Sequence, residues 1–385
     1  MMNETIASRK TLLTLIAINA LVCVYLVSIM PRGIDFRAFY FAGEKIRSGP
    51  KNIYDVERQR REQRAEFNDE AFAPFFHPPH ELLLFAPLSK IPYTWSLNVW
   101  RVFSVMCLVL SGIVLAKANG AGKLDSLMLV AAMHAVPMCL AVGQDSLLLL
   151  LLLSGCFYLL KVNRDIPAAL LLALALFKPQ LPVVLALAVL AVGRKKFFGW
   201  FATFGIALTA GSMIYVGWTG VRQIIATQRI GETGGFGIAT MVNLRGLIGL
   251  FAGDHRWICL TVLAATVAVM APVWWRSRSL EFAVASSVCI ALALSVYIYD
   301  YDLAVLAIPL AIVANSLRRS DTPILASITS APFLVMIQAA HLNALLFLPT
   351  IALGYLTLRR VRKDEAFVRR DQLLRVATAQ RSNAD

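Results

Sequence analysis

Charge is the scarcest ingredient of this chain. Only 16% of its 385 residues are Asp, Glu, Lys or Arg, against roughly a quarter in soluble globular domains. That shortage excludes a single water-exposed fold of this length. Histidine and cysteine are sparse too, with five and six copies. Cys23, Cys107, Cys139, Cys156, Cys259 and Cys289 all fall in apolar segments, with no CxxC or Cys/His spacing. They read as small packing residues, and neither a disulfide framework nor a zinc site is expected. The Gly-rich stretch GETGGFG at 231–237 lacks a Walker GK[ST] ending, so by itself it is no phosphate-binding loop.

What the chain has in abundance is hydrophobic sequence, 58% of all residues, with a mean hydropathy of +0.67. Runs such as LLLLLLLSGCFYLL (147–160) and ILASITSAPFLVMIQAA (324–340) do not alternate, which selects membrane helices over a barrel. The formal net charge of +14 reads as Lys and Arg collected in cytoplasmic loops, with no nucleic-acid partner implied. Arg9 and Lys10 precede an apolar run that lacks a small-x-small cleavage site, so an uncleaved anchor is expected in place of a signal peptide.

The apolar runs predict an all-α polytopic membrane protein of about 12 transmembrane helices. They fall near 11–30, 93–116, 124–141, 144–161, 166–177, 180–193, 197–217, 256–275, 281–298, 301–315, 322–338 and 341–358. With the N-terminus inside, the inner loops collect Lys117/Lys123, Lys161/Arg164, Arg194/Lys195/Lys196, Arg276/Arg278 and Arg318/Arg319. The positive-inside rule then places both termini in the cytoplasm of a multi-pass plasma-membrane protein. Residues 1–358 form one domain with two long outer loops, 31–92 and 218–255, followed by a basic cytoplasmic tail at 359–385. The first outer loop begins with an amphipathic segment, IDFRAFYFAGEKIRSG, of the kind that lies along a membrane interface. The charged stretch after it reads as a solvated helix. Near 166–193, Lys178-Pro179 separates two runs too short to span comfortably. Two short tilted helices and a re-entrant hairpin both fit there. GETGGFG reads as a gate-like segment.

Polar groups at membrane depth are costly and therefore informative. The threading gathers Asp35, Gln144, Asp145, Lys178, Asn243, Arg245, Asp300 and Asp302 at the outer ends of their helices. Such a set can line a polar cavity open to one leaflet. Each also has a plainer role: Gln144 and Asp145 as helix caps, Asp300 and Asp302 as turn residues, Lys178 in an internal ion pair. His77 and His80 in FFHPPH are separated by two prolines, which argues for a rigid turn; no metal is assigned.

The order GIDFRAFYFAGEKIRSG, IYD, FFHPPHELLLFAPLSKIP, GQDSLLLLLLL, LFKPQLPVVLALAVL, NLRGL and YDYDLAVLAIPL resembles glycosyltransferase family 87 over about 31–315. The resemblance implies a C-type membrane glycosyltransferase fold and a polyprenyl-phosphate sugar as donor, often the mannose derivative. It implies hexose transfer to a lipid or glycan acceptor on the outer face of the plasma membrane. It also implies an acidic general base just after the first helix, the position of Asp35. This chain departs from the family's common pattern in having His77 where Tyr is usual before the proline pair, and Asp145 where Asn often follows GQ.

The residues fit that chemistry independently. A carboxylate must take the acceptor hydroxyl proton, and the departing lipid phosphate needs positive charge. Lys178 and Arg245 are the candidates for donor-phosphate binding. Tyr40, His77, Gln144, Asp145, Asn243, Asp300 and Asp302 are candidates for substrate binding. No cofactor or metal is called for, and the partners are the lipid-linked sugar, its acceptor and membrane lipids. A multi-helix transporter or lipid flippase is the alternative, for which internal repeats and paired broken helices are the signature.

Overall fold

The computed structural model describes residues 9–30, 32–48, 53–230 and 237–360, and among these residues there is no β-strand. The all-α expectation holds. The first part of the chain gives α1 (Arg9–Ile29), then α2 (Ile34–Ser48), α3 (Val56–Phe67) and α4 (Leu82–Leu88) in the first long loop. Next come α5 (Tyr93–Asn119), α6 (Lys123–Ala131), α7 (Ala135–Val142) and α8 (Ser146–Lys161). They are followed by α9 (Asp165–Leu174), α10 (Gln180–Ala191) and α11 (Lys195–Ile230), which breaks at Gly217 with φ 66°. The last third holds α12 (Leu244–Ala252), α13 (Arg256–Ser277), α14 (Leu280–Leu294), α15 (Ala307–Val313), α16 (Thr322–Thr329) and α17 (Ala331–Ala339). A final helix covers 347–360. Most of GETGGFG and nearly all of the basic tail lie outside the described residues.

The expectation of about twelve spanning helices is overturned. Among the described residues only four helices are long and apolar enough to cross a membrane: Arg9–Ile29, Tyr93–Asn119, Lys195–Ala226 and Arg256–Ser277. The number rises to six if the bent pairs α6/α7 and α16/α17 each count as one span. The runs read as further spans form short helices instead. Residues 166–193 give α9 and α10, of 10 and 12 residues, and 301–315 opens with a 3₁₀ helix, Asp300–Leu306. Much of their apolar surface faces other helices, the usual reading of such a helix, although Ile166, Leu170 and Leu174 of α9 and Val183 of α10 are exposed. Ala283, Val284, Ala285, Ala291, Leu292 and Ala293 of α14 are completely buried. The four long helices, by contrast, carry exposed Leu21, Val24, Val102, Ile206, Ile214, Trp257 and Val269. Exposed apolar residues on long apolar helices are consistent with membrane association.

The two bent pairs turn by 64° and 74° and are fastened to one another. One amide of α1 serves both: Asn19 Nδ2 donates to Ala132 O (2.8 Å) and Thr329 O (3.3 Å), while Oδ1 accepts from Ala331 N (3.2 Å). His134 N donates directly to Ile328 O across the gap (3.1 Å). Breaking a helix inside an apolar bundle frees backbone groups that must be satisfied there, and Asn19 answers three of them.

The first long loop is not a helix lying flat on an interface. In α2, Phe36, Phe39 and Ala42 are buried together with Asp35 and Arg37, because residues 53–92 fold over it. Two glutamines one turn apart on α3 hold that cover in place. Gln59 bonds Ile53 O and Phe75 N, and Gln63 bonds Ala73 O and Ala73 N, at 2.7–3.1 Å. Arg37 bonds Asp69 (2.7 and 2.9 Å) and lies over the Phe67 ring.

Candidate active site

Asp35 and Gln144 meet through two tight turns. Gly33 (φ 48°) precedes α2 and Gly143 (φ 76°) ends α7, both in the left-handed region that favours glycine. A Cβ on Gly143 would sit 2.7 Å from Phe36 Cβ. Helix α5 fixes both turns: Tyr93 Oη donates to Gly33 O (3.1 Å), and Trp100 Nε1 donates to Gly143 O (3.0 Å). Gln144 Nε2 then donates to Asp35 Oδ2 (3.1 Å), and Gln144 Oε1 accepts from Asp145 N (2.9 Å).

Next to this pair a buried ion network crosses four segments of the chain. Lys178 Nζ lies 2.6 Å from Asp145 Oδ1 and 2.6 Å from Asp302 Oδ1, and donates to Ser146 Oγ (2.8 Å). The other oxygen of Asp145 is 3.2 Å from His77 Nδ1, which is also 2.6 Å from Glu81 Oε2. Lys178 reaches the cluster because the Ala175–Phe177 turn and Pro179 interrupt the helical path between α9 and α10.

These groups border a cavity of about 190 Å³. One wall presents Asp35, Gln144, Lys178 and Asp302. A second is an aromatic slot of Phe39, Phe75, Phe76, His77 and Phe177. A third is formed by Tyr297, Tyr299 and Tyr301 with Gln180. A polar floor with aromatic sides suits a sugar ring, which offers hydroxyls at its edge and C–H groups on its faces.

Burial pushes the Asp35 carboxyl up, Asp300 adds to this and Lys178 opposes it, leaving it at about 7. Burial alone would neutralise His77, but Glu81 and Asp145 outweigh it and raise the imidazolium to about 10. The ligand atoms of His77, Glu81 and Asp145 lie within 4.8 Å of one another. His77 Nδ1 is hydrogen-bonded to Glu81 Oε2 at 2.6 Å and lies 3.2 Å from Asp145 Oδ2.

Of the sequence-derived candidates, Asp35, His77, Gln144, Lys178 and Asp302 line the cavity, and Asp145 sits directly behind them. Asp300 adjoins them, holding Tyr301 N (2.9 Å) and accepting from Gln338 of α17. Tyr40 is turned away, its hydroxyl donating to Ile91 O. Asn243 caps α12 through Gly246 N and donates to Ser295 O. Arg245 is fully buried, paired with Asp254 (2.8 and 2.9 Å) and set over the Tyr297 ring. It borders the cavity only through that tyrosine. Glu81, Ser146 and the three tyrosines were not picked out from sequence. Spacing held a signal for two of these: Glu81 stands one helical turn after His77, and Tyr297, Tyr299 and Tyr301 alternate.

Long apolar helices around a buried polar cavity with a carboxylate at its edge define a membrane-associated protein with an enzyme-like site. The family model for glycosyltransferase family 87 matches residues 75–298, more than half of the chain. The chain belongs to that family, and its activity is sugar transfer. His77, Gln144, Asp145, Lys178, Asn243 and Arg245 fall inside the matched range; Asp35, Asp300 and Asp302 fall outside it. No curated protein matches the chain.

Proposed function

We propose that this protein transfers a hexose, mannose in the first instance, from a polyprenyl-phosphate donor to a lipid or glycan acceptor at the outer face of the plasma membrane. Asp35 is the general base. The observation that carries this reading is the state of its carboxylate. Oδ2 is held by Gln144, Oδ1 has no partner among the described residues, and the side chain lines the cavity. In the reaction the acceptor oxygen attacks the anomeric carbon and its proton passes to Asp35. The bond from that carbon to the phosphate oxygen breaks, and its electron pair leaves with the lipid phosphate. A leaving group that is already a stable anion needs no strong general acid, only fixed positive charge. Lys178 stands on the cavity wall for that purpose. Arg245 contributes by holding Tyr297 in place.

The assignment of face rests on charge. Ion pairs Arg9–Asp125, Lys161–Glu281, Arg194–Asp165 and Arg359–Asp321 tie together several short basic loops. Helix α5 has 27 residues and so is about 40 Å long. It touches the cavity turns at Tyr93 and Trp100 and ends beside the basic loop at Lys117 and Lys123. On this reading the 117–123 loop lies at the end of α5 away from the cavity turns, and its lysines assign that end to the cytoplasm.

The test is transfer of radiolabel from polyprenyl-phosphate mannose and from a nucleotide-linked mannose in membranes containing the protein. The reading expects label in an acceptor lipid or glycan from the lipid donor only. Direct transfer from the nucleotide sugar, with the lipid donor inert, would overturn it.

A further inference from the structure

The network behind the cavity is oriented, and its orientation has a chemical consequence. Glu81 and Asp145 are buried and both address the same ring nitrogen of His77, Nδ1, at 2.6 and 3.2 Å. Neither carboxylate lines the cavity, whereas His77 does. The other ring nitrogen, Nε2, has no protein partner among the described residues and is not sealed off by them. A histidine whose Nδ1–H is gripped by a carboxylate has its ring direction fixed and its remaining nitrogen committed to whatever enters the site. Here Glu81 makes that bond, and Asp145 stands beside it as an ion-pair partner, 3.2 Å from the same nitrogen, with its second oxygen 2.6 Å from Lys178. The two cations therefore stand side by side on the cavity wall, with Glu81 and Asp145 hidden behind them. The Phe39 ring meets the imidazole edge-on at 5.4 Å and Phe177 lies nearly parallel at 6.4 Å, so aromatic rings flank it.

We propose that His77, oriented through Nδ1 by Glu81 with Asp145 beside it, donates from Nε2 to the phosphate of the lipid-linked donor, with Glu81 as its positioning residue. The assignment rests on the donor class named above and adds the residue that reads the phosphate. An imidazolium donor adds a full charge to such a hydrogen bond. The leaving oxygen then departs toward a fixed cation in a water-poor site, where such a contact is strongest. The charged and titratable groups around the ring are Glu81, Asp145, Lys178 through Asp145, and His80, which follows the proline pair. Burial works against the imidazolium while Glu81 and Asp145 favour it, and burial likewise pushes the Glu81 carboxyl up.

The experiment is binding of undecaprenyl phosphate to the detergent-solubilised full chain, measured beside undecaprenol, which lacks the phosphate. It needs no sugar transfer, so its outcome is separable from that of the transfer reading. The expectation for His77→Gln is a loss of about tenfold or more in affinity for the lipid phosphate, with undecaprenol binding unchanged. Glu81→Gln removes one of the two carboxylates that raise the imidazolium. It should keep binding at pH 6 and lose it at a pH lower by about one unit or more than the native chain does. Equal affinity of His77→Gln and native protein for the lipid phosphate would overturn the proposal. So would a parallel loss of undecaprenol binding, which marks a purely structural role. Lipid-phosphate binding abolished by a chelator and restored by Mn²⁺ would overturn it as well, by making the cluster a metal site.

Discussion

Gln144 Nε2 reaches Asp35 Oδ2 at 3.1 Å across 109 positions of sequence, and both residues sit one or two places after a glycine in the left-handed region. The bond orients the carboxylate and favours its charged form. Burial and Asp300 act in the opposite sense, and the balance leaves Asp35 at about 7. A base must be unprotonated to act, so kcat/KM should rise with pH and level off above about 7, falling about tenfold per unit on the acid side. Gln144→Leu removes the one hydrogen bond to the charged form and should move this limb to higher pH. A shift of about one unit lowers the rate roughly tenfold at acid pH and hardly at all at pH 9. A rate profile for native protein and variant from pH 5 to 9 checks both statements.

Lys178 answers two carboxylates at once, Asp145 and Asp302, each at 2.6 Å. Lys178→Met should therefore be severely destabilising, by about 3–5 kcal/mol, because it leaves buried anions without a cation. Removing Asp302 as well, in Lys178→Met/Asp302→Asn, takes away one of the stranded charges. The double variant should melt above the single Lys178 variant in the same detergent, a coupling that thermal unfolding of the purified proteins will show.

Asn19 joins the two broken helices through three bonds, although nothing near it takes part in the proposed chemistry. Asn19→Leu leaves three backbone groups unanswered in an apolar interior, each worth about 1–3 kcal/mol. The variant should accumulate poorly and melt at a lower temperature. The protein that does fold should keep the native pH dependence of transfer. A displaced acid limb would show that the breaks communicate with Asp35, and the route exists on paper: α7 runs into Gly143-Gln144, and α17 carries Gln338 to Asp300.

How much of this is legible in the sequence differs between fold and site. Helical class and membrane character follow from long unalternating apolar runs, and four of the runs are spans in length and composition. At the others composition does not separate a span from a short or bent helix, because an apolar helix packed on protein reads like one packed on lipid. The run at 322–338 is continuous in hydropathy, yet Ser330 caps a new helix at Ala331-Pro332 and the path turns by 74°. The run at 124–141 hides its bend between Ala131 and Ala135 in the same way.

The site fared differently. Ionisable residues at helix ends point to a shared cavity, and Asp35, His77, Gln144, Lys178 and Asp302 do meet there. Spacing could not reveal their pairing. Lys178 and Asp302 are 124 positions apart, a pairing that no local pattern shows, whereas Glu81 stands only four positions after His77. Arg245 shows the converse. Its isolation in an apolar stretch draws attention, but its charge is taken up by Asp254, an acid within the same loop.

The central claim is that Asp35 takes the acceptor proton, and the direct measurement is transfer from radiolabelled polyprenyl-phosphate mannose by native protein, Asp35→Asn and Asp35→Glu at equal membrane levels. Asn keeps the size and can still accept from Gln144, but it cannot take a proton. The account predicts that Asp35→Asn loses roughly a hundredfold or more, that Asp35→Glu retains more than the Asn variant, and that undecaprenyl phosphate binds all three alike. Transfer by Asp35→Asn at the native rate would contradict it.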